Sequence, residues 1–317
     1  NYKIGEQEMS KKNNKGINYG ILSGMFWGLD TVLTGFILST TLFISTEKAI
    51  LIAPIISAFL HDISSSIWMM LFLGVKKELI KTIKLLKTKS ARYVAIAALF
   101  GGPIGMGGYL LAISYLGAGY TASISAIYPA VGAFFAYIFL KDKLSIRGWI
   151  GLFLSILAII ILGYTPGESV NSQFSLGFIF AIVCVLGWSL ESVICAYGMR
   201  DEEINPEQAL QIRQFVSGIT YGIIIIPIIS GMELTKIAIT SNILPLIIIT
   251  ALIGTLSYIF YYRAIDSIGP VKATGLNVTY SIWAIIFDVL FVGSQITLKL
   301  VICAILIIIG STIVSKD

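Results

Sequence analysis

Charge is what this sequence has least of. Only 12% of its 317 residues are Asp, Glu, Lys or Arg, against 56% hydrophobic, and a soluble domain carries about twice that charged fraction. The shortage excludes an ordinary soluble fold, a disordered chain and a collagen-like one. Histidine is nearly absent: His61 stands alone, so a Cys/His zinc site cannot be assembled. Cysteine is scarce as well, and Cys184, Cys195 and Cys303 fall inside apolar stretches without metal-ligand spacing. They read as small core residues, not as a disulfide framework or a metal site. No cofactor motif is present, and the run Gly101-Gly102-Pro103-Ile104-Gly105-Met106-Gly107-Gly108 follows no strand, so it is no phosphate loop. A secretory signal is missing too, because the first apolar run is too long and lacks an Ala-x-Ala-type cleavage site. Asn1 to Glu8 precede Met9, which with Ser10-Lys11-Lys12 reads as a start; no function is assigned to them.

What the chain does have is apolar runs near the roughly 20 residues that cross a bilayer, recurring almost to its end. Without period-2 alternation they read as helices and not as a barrel. The expectation is an all-α integral membrane protein of ten transmembrane helices, at about 17–40, 48–75, 92–115, 119–140, 146–164, 175–199, 206–231, 242–265, 270–293 and 297–314. Residues 1–16 form a cytoplasmic N-terminal segment, 17–165 a first five-helix repeat and 174–314 a second. Alternate loops, including the basic loop 76–92, and the termini hold 18 basic residues, whereas the opposite loops hold only Lys48, Lys236 and Lys299. The positive-inside rule then puts both termini in the cytoplasm of a bacterial-type cell and the 166–173 loop outside. The net charge of +5 lies in these short loops, so it points to the membrane surface and not to nucleic acid.

The two halves resemble each other. A shift of 152 places Tyr128 on Tyr280, Gly117 on Gly269 and His61-Asp62 on Arg213-Gln214; a shift of 161 places Trp27-Gly28-Leu29-Asp30 on Trp188-Ser189-Leu190-Glu191. The nine-residue difference fits a longer first outer loop. Five helices per copy is an odd number, so the second copy enters from the other side: an inverted-topology repeat, the architecture of alternating-access transporters. Gene duplication without alternating access, as in a channel, is the plainer alternative. An intramembrane enzyme or a sensor is the rival from another class, and no catalytic set stands out within the spans.

Polar groups at membrane depth carry the functional signal, because each is costly there. Trp27 and Asp30 share one helix face, as do Trp188 and Glu191. At 1.5 Å per residue both tryptophans lie roughly 15 Å from the cytoplasmic helix ends, near the midplane. Two indoles and two acids suit a cation without hydrogen-bond donors. Tyr128, Tyr280, Tyr109, Tyr115, Tyr258, Tyr261, Tyr262, Asn277 and Trp283 are further candidates for such a box, although interfacial anchoring or packing accounts for any single tyrosine. His61, Asp62, Arg213 and Gln214 form a gating, bracing or proton-coupling group, with Asp62–Arg213 or His61–Asp62 as contacts; Glu191 stands either beside a bound cation or as a structural partner for Arg213 or His61. Asp288 is expected as a partner for Arg213 or as an outer-end polar residue. The glycines of 101–108 permit close helix contact or a break.

Ten helices in two inverted halves resemble the drug/metabolite transporter superfamily (EamA-like). Within it, Gly20-Ile21-Leu22-Ser23-Gly24-Met25-Phe26-Trp27-Gly28-Leu29, Ser125-Ala126-Ile127-Tyr128-Pro129-Ala130, Trp188-Ser189-Leu190-Glu191-Ser192-Val193, Ile212-Arg213-Gln214 and Lys272-Ala273-Thr274-Gly275-Leu276-Asn277-Val278-Thr279-Tyr280 look like the LicB-type choline transporters of phosphocholine-decorating bacteria. That resemblance implies proton-coupled choline import by alternating access, with Trp27, Trp188, Glu191, Asn277 and Tyr280 at the pocket. An acid at Asp30 departs from the family's pattern. Relatives in the superfamily export amino acids, metabolites or drugs, and topology does not give the direction of transport.

Overall fold

The structure, a computed structural model, describes residues 2–139, 145–163, 172–198, 204–268 and 270–315. Among them every regular element is helical. The first half comprises α1 (Tyr2–Leu38), α2 (Thr41–Ile44), α3 (Glu47–Val75), α4 (Leu79–Leu85), α5 (Lys89–Leu99), a π-helical turn (Phe100–Met106), α6 (Gly107–Leu116), α7 (Ala118–Ser125), α8 (Tyr128–Phe139) and α9 (Ile146–Gly163). The second comprises α10 (Ser172–Gly198), α11 (Pro206–Thr220), a π-helical turn (Tyr221–Ile225), α12 (Ile226–Ile228), α13 (Met232–Thr240), α14 (Leu244–Ile268), α15 (Pro270–Asn277), α16 (Tyr280–Phe287), a π-helical turn (Asp288–Val292) and α17 (Leu298–Ser315). Seven stretches are long and apolar enough to span a bilayer, from Asn14–Leu38 to Gly275–Val292, and Ile146–Ala158 and Leu298–Ile313 are shorter apolar helices. Large side chains such as Phe153, Ile223, Leu290 and Leu298 are exposed on the outside, where a bilayer is the only solvent that suits so many of them. The chain is a multi-pass membrane protein.

Several expected elements differ in shape. Of the N-terminal segment 1–16, residues 2–16 are the start of helix α1, since Glu, Gln, Lys and Met favour propagation from an anchored span. The basic loop 76–92 contains α4, and a further helix, α13, follows α12. The single helices expected at 119–140 and 270–293 are each broken, at Ala126–Ile127 and at Val278–Thr279. Pro129 follows the first break and cannot donate to the turn before it. At the second, Thr279 Oγ1 donates to the Leu276 carbonyl, the kind of local bond that loosens a helix. The glycine-rich run near 101 becomes a π-helical turn with Pro103 inside it. The 166–173 loop lies largely outside the described residues, as do Lys141, Lys143 and Arg200.

Packing brings the broken helices to the centre. α1 lies along α14 and the α15–α16 pair; α10 lies along α5, its π turn and α6, and against α8. α3 packs on α11 and α14, α11 packs on α5, and α9 pairs with α17. Gly20, Gly24 and Gly28 form one stripe of α1, and side chains there would collide with Leu276, Thr279 and Trp283. Small residues at four-residue spacing are what let helix backbones close up in a membrane.

Candidate functional site

At the centre of the bundle lies a chain of ionisable side chains that the apolar surroundings do not solvate. Asp30, His61, Asp62 and Arg213 are all buried, and Glu191 is mostly so. On α1 and α3, Asp30 Oδ1 lies 3.0 Å from His61 Nε2. On α10 and α11, Arg213 Nε donates to Glu191 Oε1 at 2.8 Å. Asp62 joins the two pairs: its Oδ1 is 3.4 Å from His61 Nδ1, and Arg213 Nη1 lies 3.4 Å from both of its oxygens. Ser217 donates to Asp62 Oδ2, and Gln214 accepts from Arg213. Gln214 Nε2 in turn donates to Ser65, which meets Thr255. Asp30 Oδ2 and Arg213 Nη2 are left without a hydrogen-bond partner.

The architecture makes room for this chain at two glycines. A β-carbon on Gly101 would fall 1.9 Å from Glu191 Cδ, and one on Gly254 would fall 2.9 Å from His61 Nε2. Each acid–base pair therefore nests against bare backbone of the neighbouring helix. Both ring nitrogens of His61 face carboxylate oxygens, a setting in which an imidazolium donates twice or one acid holds the proton. Three carboxylates meet one guanidinium and one imidazole. With His61 protonated and all three carboxylates ionised, one negative charge would stay unmatched, and an uncompensated buried charge costs several kcal/mol, which favours a proton or a bound cation at this set.

The aromatic residues stand directly beside the ionic chain. Trp27 and Trp188 meet edge to face, with ring centroids 5.7 Å apart. Tyr109 packs 4.9 Å from Trp188, Tyr258 5.2 Å from Trp27, and Tyr128 5.8 Å from Trp188. Trp188 Nε1 donates to the Gly101 carbonyl, and the Arg213 guanidinium lies 5.8 Å above the Tyr258 ring. With the two indoles in contact, no trimethylammonium group fits between their faces in this conformation. At the helix breaks, the Tyr128 hydroxyl donates to Asn277 Oδ1 at 3.4 Å, and Asn277 Nδ2 donates to Ser23. Tyr280 turns instead to Ser125, 2.7 Å away.

The expected residues thus divide. Trp27, Trp188, Tyr128, Tyr109 and Tyr258 come together, and Asn277 adjoins them through Tyr128. Tyr115 stacks on Phe180, and Trp283 on Phe287, so neither belongs to that cluster. Both contacts read for Asp62 are present. Glu191, expected beside a bound cation, is held here by Arg213, and Asp30 is held by His61. Asp288 heads the last π-helical turn and is not among the partners found for Arg213. Among the described residues no cluster of three His, Cys, Asp or Glu side chains forms a metal site.

A model of the EamA-like transporter family matches twice, over residues 14–164 and 175–316. "Protein LicB" of Haemophilus influenzae is 34% identical over 278 residues, covering 86% of this chain and 87% of that protein. An uncharacterized transporter of Clostridium kluyveri is 26% identical over 242 residues, covering 74% and 76%. One crystal structure, 15% identical, superposes with a TM-score of 0.55 over 95% of this chain and 96% of its own, and shares the fold. Buried charge, helices of membrane length and a match over both halves converge: the chain belongs to the EamA-like transporter family and is a membrane transporter.

Proposed function

We propose that this protein imports choline or a related quaternary amine by alternating access, coupled to protons. In this reading ten spans in two inverted five-helix repeats, 17–165 and 174–314, lie in a bacterial plasma membrane with both termini cytoplasmic. The packing pattern supports the repeat. Exchanging α1 with α10, α3 with α11, α5–α6 with α14 and α7–α8 with α15–α16 maps the packing pairs of α1, α3, α10 and α11 onto one another, and α9 with α17 maps onto itself, while α17 also packs on α7 and α8. The repeat-related helix breaks at 126–127 and 278–279 fall where broken helices of such transporters form their sites.

One observation carries the substrate class: three buried carboxyl groups, Asp30, Asp62 and Glu191, against two basic side chains, His61 and Arg213, beside five aromatic rings. A quaternary ammonium supplies the missing positive charge without needing hydrogen-bond acceptors, and ring faces stabilise it by roughly 0.5–2 kcal/mol each. Entry of that cation must part Trp27 from Trp188, so the closed cluster fits a form that opens on binding. The resemblance of the Trp27, Trp188, Asn277 and Tyr280 segments to LicB-type choline transporters points the same way. Protons enter the cycle through Asp30 and His61, the pair whose charge can change without breaking the Arg213–Glu191 contact.

The test is radiolabelled choline uptake into proteoliposomes. Accumulation is expected when the outside is acidic, with little at equal pH, and unlabelled choline should compete where amino acids do not. Accumulation of an amino acid in preference to choline would reject the substrate. Uptake indifferent to the pH gradient would reject the coupling.

A further inference from the structure

We propose that the end of α3 together with α4 forms a binding site for one anionic phospholipid, its headgroup on the α4 lysines and an acyl chain in the adjoining groove. α3 stops abruptly. Glu78 N–H donates back to the Leu73 carbonyl and Lys77 N–H to that of Gly74, at 2.9 and 3.0 Å, with Lys77 left-handed at φ 61°. This Schellman turn throws the chain sideways, and the following α4 is too short to span anything.

Three faces of α4 then do different things. Thr82 and Leu85 turn inward, the first buried and the second packed on a core cluster. Ile80, Ile83 and Leu86 form an exposed apolar face. Lys81 and Lys84, with Lys87 just past the helix end, are exposed and basic, flanked by exposed Lys77 and Lys89. A helix with such a section lies in the interfacial plane of a membrane, apolar face in the acyl region and lysines at headgroup level. Beside it opens a groove of about 530 Å³, lined by Ile67, Met70, Leu71, Gly74, Val75 and Leu79. Its walls are apolar, so it suits a hydrocarbon chain, and through Leu79 it adjoins the helix that carries the lysines, which select a negative headgroup. Lys76 is already engaged by Glu207 and Phe72.

The second repeat supplies the contrast. There α12 ends in the same turn, with Ser230 left-handed at φ 53° and Gly231 N–H donating to the Ile226 carbonyl. α13 follows with exposed Met232, Ile237 and Ile239. Its only charges are Lys236 and Glu233. An interfacial helix at this position therefore does not require lysines, and the basic face belongs to α4 alone. The topology proposed above places that face on the cytoplasmic leaflet; the lipid chemistry does not depend on it.

Native mass spectrometry of the purified full-length chain tests the site, with phosphatidylglycerol and phosphatidylcholine of equal chain length added in turn. Phosphatidylglycerol should be retained about tenfold better, in keeping with a few lysines near an anionic headgroup. The triple variant K81Q/K84Q/K87Q should lose that preference. Gly74→Leu should lower phosphatidylglycerol retention with all lysines present; a β-carbon there meets nothing within 4 Å, so the groove fills without a clash. Thermal unfolding checks that both variants are folded. Equal retention of the two lipids by the unmodified chain would overturn the proposal. So would a preference that survives both variants, or equally firm retention of soluble glycerol phosphate.

Discussion

Asp62 and Asp30 are both buried carboxylates, yet they do different work. Asp62 touches both bases, His61 and Arg213, whereas Asp30 touches His61 alone and leaves Oδ2 unpartnered. Removing Asp62 breaks its contacts to both bases and to Ser217, although His61 keeps Asp30 and Arg213 keeps Glu191. Removing Asp30 breaks the contact to His61 alone, so its cost should be smaller. Thermal unfolding in detergent should therefore rank Asp62→Asn below Asp30→Asn; equal losses would refute the bridging role of Asp62. The aromatic residues have their own test. Trp27→Ala and Trp188→Ala should each weaken choline binding by about 1–2 kcal/mol, roughly five- to thirtyfold, with Trp→Phe milder. Wild-type affinity in both folded alanine variants would remove the indoles from the site. Much of this was legible beforehand, because Trp, Asp, Glu and His at membrane depth stand out against an apolar background. The pairing was legible only in part: Arg213 was one of two partners read for Glu191, whereas Asp30 with His61 was not read, since the two are 31 residues apart and on different helices.

At the scale of helices, hydropathy located the seven long apolar stretches found among the described residues but not the breaks. An apolar window reads the same whether the backbone runs on or stops at Val278–Thr279, and the hydroxyl bond of Thr279 leaves no hydrophobic trace. Nor did it reveal α4 and α13, because seven to nine residues at an interface are neither a span nor a plain polar loop. Glycines were more informative. The close contact expected of the run near 101 is what allows Glu191 to reach Arg213. Gly101→Ala should displace that carboxylate and abolish choline uptake while the chain still inserts and folds. Gly74→Ala, which adds the same methyl to open space, should leave uptake intact. Normal uptake by Gly101→Ala would mean that Glu191 need not occupy its observed place.

Across the whole molecule, the two halves place an acid–base pair at corresponding positions but with different bases. The second half uses arginine, which stays charged at any physiological pH; the first uses histidine, the side chain whose ordinary titration range overlaps physiological pH. The two family-matched halves thus carry one fixed pair and one pair able to exchange a proton, with Asp62 between them. That difference is where the proposed proton coupling should reside. His61→Arg makes the halves alike and preserves a positive partner for Asp30 and Asp62, so the folded protein should persist. Choline binding should survive, since the aromatic cluster and Glu191 are unaltered, but an inward proton gradient should no longer accelerate uptake. His61→Gln, which removes the charge, should also flatten the pH response while costing more stability, because Asp30 then faces no cation. Retention of gradient-driven accumulation in His61→Arg would place the proton on another group, with Asp30 and Glu191 next to be tested.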